Sequence, residues 1–293
     1  MMGFVKDGSY NKEAMLQAQR HSARMGYRMA TIELELHEWN LVNEEDRLTG
    51  CSLTGMMDFV NATSISDSEL RNLLKELRQV AKDEIKILSY ELKMNESKLA
   101  TCIKPSGTIS QLPTVSSGVH HSHSPYYIRR VRVSANDPLS KAMEASGFNW
   151  SPEIGQTLEN HKTKVFEFPV KAPSGKTKYD VSAIEQLELY KLIMEEYVDH
   201  NASNTIHVRP HEWEEVVEWV YDNWDSVVGI TFLSLDDSFY QLLPYESISE
   251  EEYIEMVKNT PTFNPNILKD FENFEEEFEI LDEECSTGAC PIK

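Results

Sequence analysis

Four cysteines in 293 residues are too few for a disulfide framework. Cysteine usage of this kind suits a reducing compartment, where a close pair is better read as redox-active or metal-binding than as structural. No apolar run approaches the roughly eighteen residues of a membrane span, and the opening MMGFVKDGSY lacks the apolar centre of a signal peptide. Both absences point to a cytoplasmic chain with no membrane partner. Basic residues are scarce too: 28 Lys and Arg stand against 49 Asp and Glu, a net charge of −21. That balance argues against a nucleic-acid partner, which would draw on clustered cations. The most local absence is of acids. At 49 in 293 residues, a window of forty should hold about seven, yet residues 97–136 hold none.

The same window carries Lys98, Lys104, Arg129, Arg130, Arg132 and the histidines 120, 121 and 123. In so acidic a chain, a basic, acid-free stretch is what an anionic ligand requires. Within it, Leu99 to Ile103 reads as a short buried strand and Pro105-Ser106-Gly107-Thr108 as a turn. Thr108 to Leu112 then starts a helix that Ser106 or Thr108 can cap. Gly107 should permit a backbone conformation closed to other residues. The amides of a helix N-terminus carry about half a positive charge, which favours an anionic oxygen, and hydroxyls of Ser106, Thr108 and Ser110 add donors. Pro105, Ser106, Gly107, Thr108 and Ser110 are therefore the expected phosphate contacts. An ordinary strand, turn and helix would use the same residues without a ligand.

The rest of the chain alternates helix and strand. Asn11 to Thr31 is a helix candidate with Ala14, Ala18, Ala23 and Met25 on a mixed face, followed by the alternating piece Ile32 to Leu36. Arg47 to Gly55 reads as a strand with Leu48, Cys51 and Leu53 inward. A capping box at Ser66-Asp67-Ser68-Glu69 opens a long amphipathic helix whose core stripe is Leu70, Leu73, Leu74, Leu77, Ala81, Ile85 and Leu88. Tyr127 to Val133 and Val165 to Val170 are strand candidates. Ile184 to Val198 is a helix burying Leu187, Ile193, Met194 and Tyr197, Asn204 to Val208 a strand, and Glu212 to Trp224 a helix with Trp213, Val216, Val217 and Val220 inward. Val227 to Leu233, VVGITFL, has the composition of a strand buried on both faces. Strand, helix, strand in this order predicts right-handed βαβ units and a parallel sheet, closed or open.

From Asn259 the character changes. Residues 269–284 hold nine acids against one lysine, the composition of a weakly ordered tail. Its tip carries Cys285 and Cys290 among small residues. Two cysteines five apart there can close and reopen a disulfide; unconnected thiols and a zinc site are the other readings, though zinc needs four ligands and the tail offers two. His120, His121 and His123 are spaced poorly for one metal site, since neighbours on an extended strand face opposite ways, and no metal is expected. They read as substrate or cofactor contacts, or as plain loop histidines. Cys51 and Cys102 sit in apolar strands and read as buried, inert side chains.

KPSGTISQL followed by SSGVHHSHSPYYIRRVR resembles the corresponding stretch of adenosylcobalamin-dependent, class II ribonucleotide reductases. Leu36-His37-Glu38-Trp39 with the stretch Asp46 to Gly55, Asn201 to Thr205, and the closing Cys285-Ser286-Thr287-Gly288-Ala289-Cys290-Pro291-Ile292 resemble other segments of that family. The resemblance spans nearly the whole chain but only the C-terminal part of the family's length. It implies an α/β fold, the C-terminal half of a ten-stranded α/β barrel over residues 1–260, with an acidic flexible tail over 261–293. It also implies reduction of a ribonucleotide at C2′ through a thiyl radical, with adenosylcobalamin as cofactor and His120, His121 and Arg129 as possible contacts to substrate or cofactor. Cys285 and Cys290 would shuttle electrons from a thioredoxin-like protein to the active-site disulfide. The family's radical cysteine and its glutamate lie in an Asn-x-Cys-x-Glu motif that this sequence does not contain. The implied partner is thus an N-terminal part of the reductase on another chain; a catalytically inactive nucleotide-binding or regulatory remnant is the alternative.

Overall fold

A computed structural model describes residues 1–173, 175–235 and 242–272. In chain order the elements are β1 (Val5–Lys6), β2 (Ser9–Tyr10), α1 (Lys12–Met29), α2 (His37–Asp46), α3 (Met56–Thr63), α4 (Asp67–Leu92), β3 (Tyr126–Ser134), α5 (Pro138–Ala145), β4 (Trp150–Pro152), β5 (Thr163–Lys171), α6 (Ala183–Glu196), β6 (Thr205–Val208), α7 (Trp213–Asp222), β7 (Thr231–Ser234), β8 (Tyr245–Ser247) and α8 (Glu250–Asn259). They form two compact units, Met1–Ser122 with Ala172–Asp236, and His123–Lys171 with Asp237–Lys293. Among the described residues no helix is long and apolar enough to cross a membrane.

The first unit is built on a row of short parallel segments. Cys51 bridges Thr101, Ile103 bridges Ala202, and β6 pairs with β7 from Thr205↔Thr231 to Val208↔Ser234, all parallel. α4 lies before the second segment, α6 before the third and α7 before the fourth, the βα order expected. The capping box of α4 is formed at both ends: Ser66 N donates to Glu69 Oε2 (3.1 Å) and Ser66 Oγ accepts from Glu69 N (3.4 Å). Its predicted stripe is buried without exception. Asp199 ties the second segment to the third by accepting from Ala100 N at 3.1 Å. Burial alone would raise its carboxyl pKa, but Lys82 and Arg78 outweigh that and hold it below the usual range.

Several expectations fail for identifiable reasons. The stretch Arg47 to Gly55 is extended only around the Cys51 bridge, and Leu48 faces solvent. Among the described residues Ile32 to Leu36 joins no strand, and the helix that follows it, α2, buries no residue. On α7 the buried residues are Val216 and Trp219, not Trp213 and Val217. The buried Glu212 sets that rotation, accepting from Arg209 N (2.7 Å) and Ala183 N (3.2 Å). The expected buried strand VVGITFL is shorter, and every residue of β7 is exposed.

The second unit departs further from the expected parallel pattern. Its sheet runs β4-β5-β3-β8 and is antiparallel throughout. β3 and β5 pair over nine residues, from Tyr126↔Lys171 to Ser134↔Thr163. The imperfect alternation of Tyr127 to Val133 has a cause here: Arg130 lies inside with only 7% exposure, between Glu167 (2.7 Å) and Glu246 (2.6 Å). Arg132 pairs with Glu153. Cys285 and Cys290 lie outside the described residues.

Candidate functional site

Lys104 to Ile109 leaves the carboxyl end of the second parallel segment, where ligands of α/β sheets ordinarily sit. A cleft of about 630 Å³ opens there, lined among others by Gly50, Cys102, Lys104, Pro105, His200 and Ser203. Lys104 N donates to Ser52 Oγ (2.9 Å) on the neighbouring segment, which fixes where the turn begins.

The turn is not built as its sequence suggests. Ser106, at φ +57°, takes the left-handed conformation assigned above to Gly107. A Cβ built on Gly107 meets nothing within 4 Å. The expected helix is a single 3-10 turn, Ile109–Gln111, whose N-cap Thr108 makes no side-chain bond; three residues leave almost no dipole. What replaces it is an irregular turn in which left-handed Ser106 stands two residues before right-handed Thr108. The backbone amides of Ser106, Gly107, Thr108 and Ile109 have no acceptor among the described residues. Ser106 Oγ donates to Lys104 O (3.2 Å) and Ser106 O accepts from Ser110 N (3.0 Å), closing the turn on itself. Ser110 is fully buried, with Oγ 3.2 Å from Ser117 Oγ, so it braces the turn from behind.

The glycine that the turn needs is Gly118, which sequence reasoning passed over. At φ +52°, a Cβ there would stand 2.7 Å from Lys104 O. Its loop is anchored by Asp58, 1% exposed, whose carboxylate accepts from Ser116 N (2.6 Å) and Ser122 Oγ (3.2 Å). No spacing in the sequence flags Asp58, because its partners are about sixty residues away. His120 pins the other side. Its Nδ1 lies 2.9 Å from Ser117 O and its Nε2 accepts from Thr205 N at 3.0 Å, so the ring is neutral with the proton on Nδ1; burial lowers its pKa.

His121 is held neutral as well, its pKa pushed down to about 4 by burial and then by Lys176. His123 belongs to the second unit and stacks on Tyr245 at 5.7 Å. Arg129, in the same unit, donates to Pro244 O (3.1 Å) and lies over the Tyr245 ring at 4.5 Å. The three histidines therefore serve three different settings. Burial raises the Cys51 thiol to about 11 and raises Cys102 too, so both are poor nucleophiles. They also cannot pair. Cys51 stands opposite Thr101, which places Cys102 on the other face of the row.

Of the cations in the acid-free window, Lys104 alone reaches this cleft, and it has no carboxylate partner among the described residues. Lys98 is paired with Asp46 (2.5 Å) and Glu45 (3.1 Å). Lys104 Cε and Nζ lie within 4 Å of a Cβ built on Gly50, on the first segment, and Ser106 to Ile109 do not line the cleft; a lysine without a counter-ion there can attract an anionic oxygen.

Along its length the chain is similar to adenosylcobalamin-dependent ribonucleoside-triphosphate reductases. The relative so named from Lactobacillus gasseri is 28% identical, matching 98% of this chain and 42% of its own length. That from Euglena gracilis is 29% identical over 81% of this chain and 32% of its own. No model of a known protein family matches. A crystal structure of a B12-dependent, class II ribonucleotide reductase superposes with a TM-score of 0.75 at 21% identity, covering 88% of this chain and 39% of that one. The mixed α/β fold thus resembles part of that structure, and the chain spans about two fifths of the length of the relative from Lactobacillus gasseri.

Proposed function

We propose that this chain is the nucleotide-binding part of an adenosylcobalamin-dependent ribonucleotide reductase, working with a polypeptide that carries the Asn-x-Cys-x-Glu radical site. One observation carries the reading: the similarity to such reductases covers 98% of the chain, including the turn after Lys104 whose amides have no acceptor among the described residues. In this reading the amides of Ser106 to Ile109 bind the substrate's phosphate oxygens and Lys104 supplies charge. Ser110, Gly118 and His120 hold the turn in place. His121 and Arg129 are further candidate contacts. The parallel row of the first unit belongs to half of a ten-stranded barrel, and Cys285 and Cys290 form the shuttle: their two thiols become a disulfide as the active-site disulfide is reduced to two thiols, and a thioredoxin-like dithiol restores them. A reducing, cytoplasmic setting suits that chemistry.

Adenosylcobalamin supplies the radical chemistry of such enzymes. The 630 Å³ cleft is far too small for a corrin with its nucleotide loop. The described residues do not enclose the cofactor; in this reading they bind and orient the nucleotide.

The test is turnover. The chain alone, monodisperse and supplied with adenosylcobalamin, dithiol and a ribonucleoside triphosphate, should form no deoxynucleotide; with the polypeptide carrying Asn-x-Cys-x-Glu it should. Turnover by the isolated chain overturns the division of labour, and none from the pair would leave a nucleotide-binding remnant.

A further inference from the structure

The second unit carries a cavity that the proposed function leaves unused. About 430 Å³ in volume, it is lined by Ile128, Trp150 and Val165 of the sheet, by Phe148 before β4, and by Glu252, Glu255, Met256 and Asn259. These last four recur at three- and four-residue spacing, so one face of α8 is turned to it. Its charges are all of one sign: Glu167, Glu246, Glu252 and Glu255 line it, and no Lys, Arg or His does. Glu167 and Glu246 share Arg130. The Glu252 carboxylate accepts from Ser249 N (2.8 Å) in the cap of α8, and Glu255 has no partner among the described residues. Four carboxylates against one guanidinium leave a negative potential that a cation would relieve.

We propose that this cavity binds a linear aliphatic polyamine, with its ammonium groups on Glu255, Glu252 and Glu246 and its methylene chain against Phe148, Val165 and Met256. A bare metal ion fits poorly. The volume lies in the range of small-molecule sites, roughly 300–1,000 Å³, much of the lining is apolar, and among the described residues no three carboxylates, thiols or imidazoles are grouped to hold a metal. An alkyl chain with a charge at each end meets both the acidic and the apolar lining. Glu252 and Glu255, three apart on α8, stand about 5–6 Å apart at Cβ, close to the separation of two amines on a short alkyl spacer. Lys164 shows the same chemistry beside the cavity. Only 5% exposed, it holds Nζ 4.7 Å over the ring of the lining residue Trp150 and 2.6 Å from Glu144, an alkylammonium between an aromatic ring and a carboxylate. All these residues belong to the second unit, so the site does not depend on the phosphate turn or on the reductase reading.

The experiment is calorimetric titration of the full chain with spermidine at physiological ionic strength, with diaminopropane and diaminohexane as probes of equal charge and Mg²⁺ as competitor. Saturable binding of one spermidine per chain is expected, with diaminohexane tighter than diaminopropane because its longer chain covers more apolar surface. Glu255→Gln and, separately, Glu252→Gln, which can still cap α8, should each weaken spermidine roughly three- to five-fold, the effect of one exposed ion pair. Met256→Lys should abolish binding by placing a competing ammonium in the cavity, whereas Glu214→Gln on α7, an exposed acid of the other unit, should change nothing. Thermal unfolding of Glu255→Gln should match wild type, since that exposed carboxylate supports nothing else. Binding that does not saturate, equal affinity for the two diamines, displacement by Mg²⁺ at the same concentration of charge, or equal weakening by Glu214→Gln would mean diffuse attraction to an acidic surface and overturns the site. Full affinity in both Glu255→Gln and Met256→Lys overturns it as well.

Discussion

One acid-free window supplies two regions that spend their positive charge in opposite ways. On β3, Arg130 and Arg132 are neutralised by Glu167, Glu246 and Glu153, carboxylates brought in from β5, β8 and the loop after β4. Lys104, which opens the turn, has no carboxylate partner among the described residues, and the amides that follow it have no acceptor there. Absence of acids along the sequence therefore does not mean absence in space. Tertiary pairing decides which cations are structural, and those left over are the candidates for binding.

Substitutions should separate the two regions. The largest effect is expected from Gly118→Val, where a positive φ and a 2.7 Å approach to Lys104 O leave no room. It should cost about 3 kcal/mol in unfolding free energy and abolish nucleotide binding, read by chemical denaturation and calorimetry. Arg130→Met comes next. Its removal strands two glutamates, but these are 37% and 50% exposed. The loss should be about 2 kcal/mol, below the range for a fully buried pair, with nucleotide affinity unchanged. Lys104→Gln should do the reverse, weakening nucleotide binding about ten-fold, or about 1.4 kcal/mol, at unaltered stability. If Arg130→Met weakens binding and Lys104→Gln weakens the fold, the contrast between the regions is wrong.

A smaller, graded effect concerns acid. His121 has its pKa lowered from 6.5 to about 4, so between those values the unfolded chain binds the proton more readily than the folded one. Stability from this group is complete above about pH 6.5 and drains away as pH falls toward 4. His120 contributes with the same sign. His121→Gln should flatten the pH dependence of unfolding over that window; an unchanged slope would show that the ring is solvated.

What the sequence made legible follows the range of the interactions. The capping box and stripe of α4 were plain because each partner lies within four residues of the next. The location of the turn was plain from Pro105 to Thr108. Its construction was not, because the bond to Ser52, the contact with Gly118 and the Asp58 anchor all join residues far apart. The antiparallel sheet was hidden for a similar reason. β3 itself was legible as Tyr127 to Val133, but its partners were not, since the counter-ions of buried Arg130 come from strands 37 and 116 positions away. The misplaced face of α7 rests on a single buried carboxylate, Glu212.

The smallest effect falls on the residue that the sequence made most prominent. Gly107 has no positive φ, and its Cβ would meet open space, so Gly107→Ala should leave stability within about 0.5 kcal/mol of wild type or raise it slightly, by restricting the unfolded chain. The open space above Gly107 is also where a phosphate bound by the neighbouring amides would lie. Gly107→Ala should therefore weaken nucleotide binding modestly and Gly107→Val strongly, while both keep the wild-type melting temperature. Measured together, the two separate a glycine kept for the backbone from one kept for the ligand: lost stability would restore the conformational role, and full affinity in the valine variant would place the phosphate elsewhere.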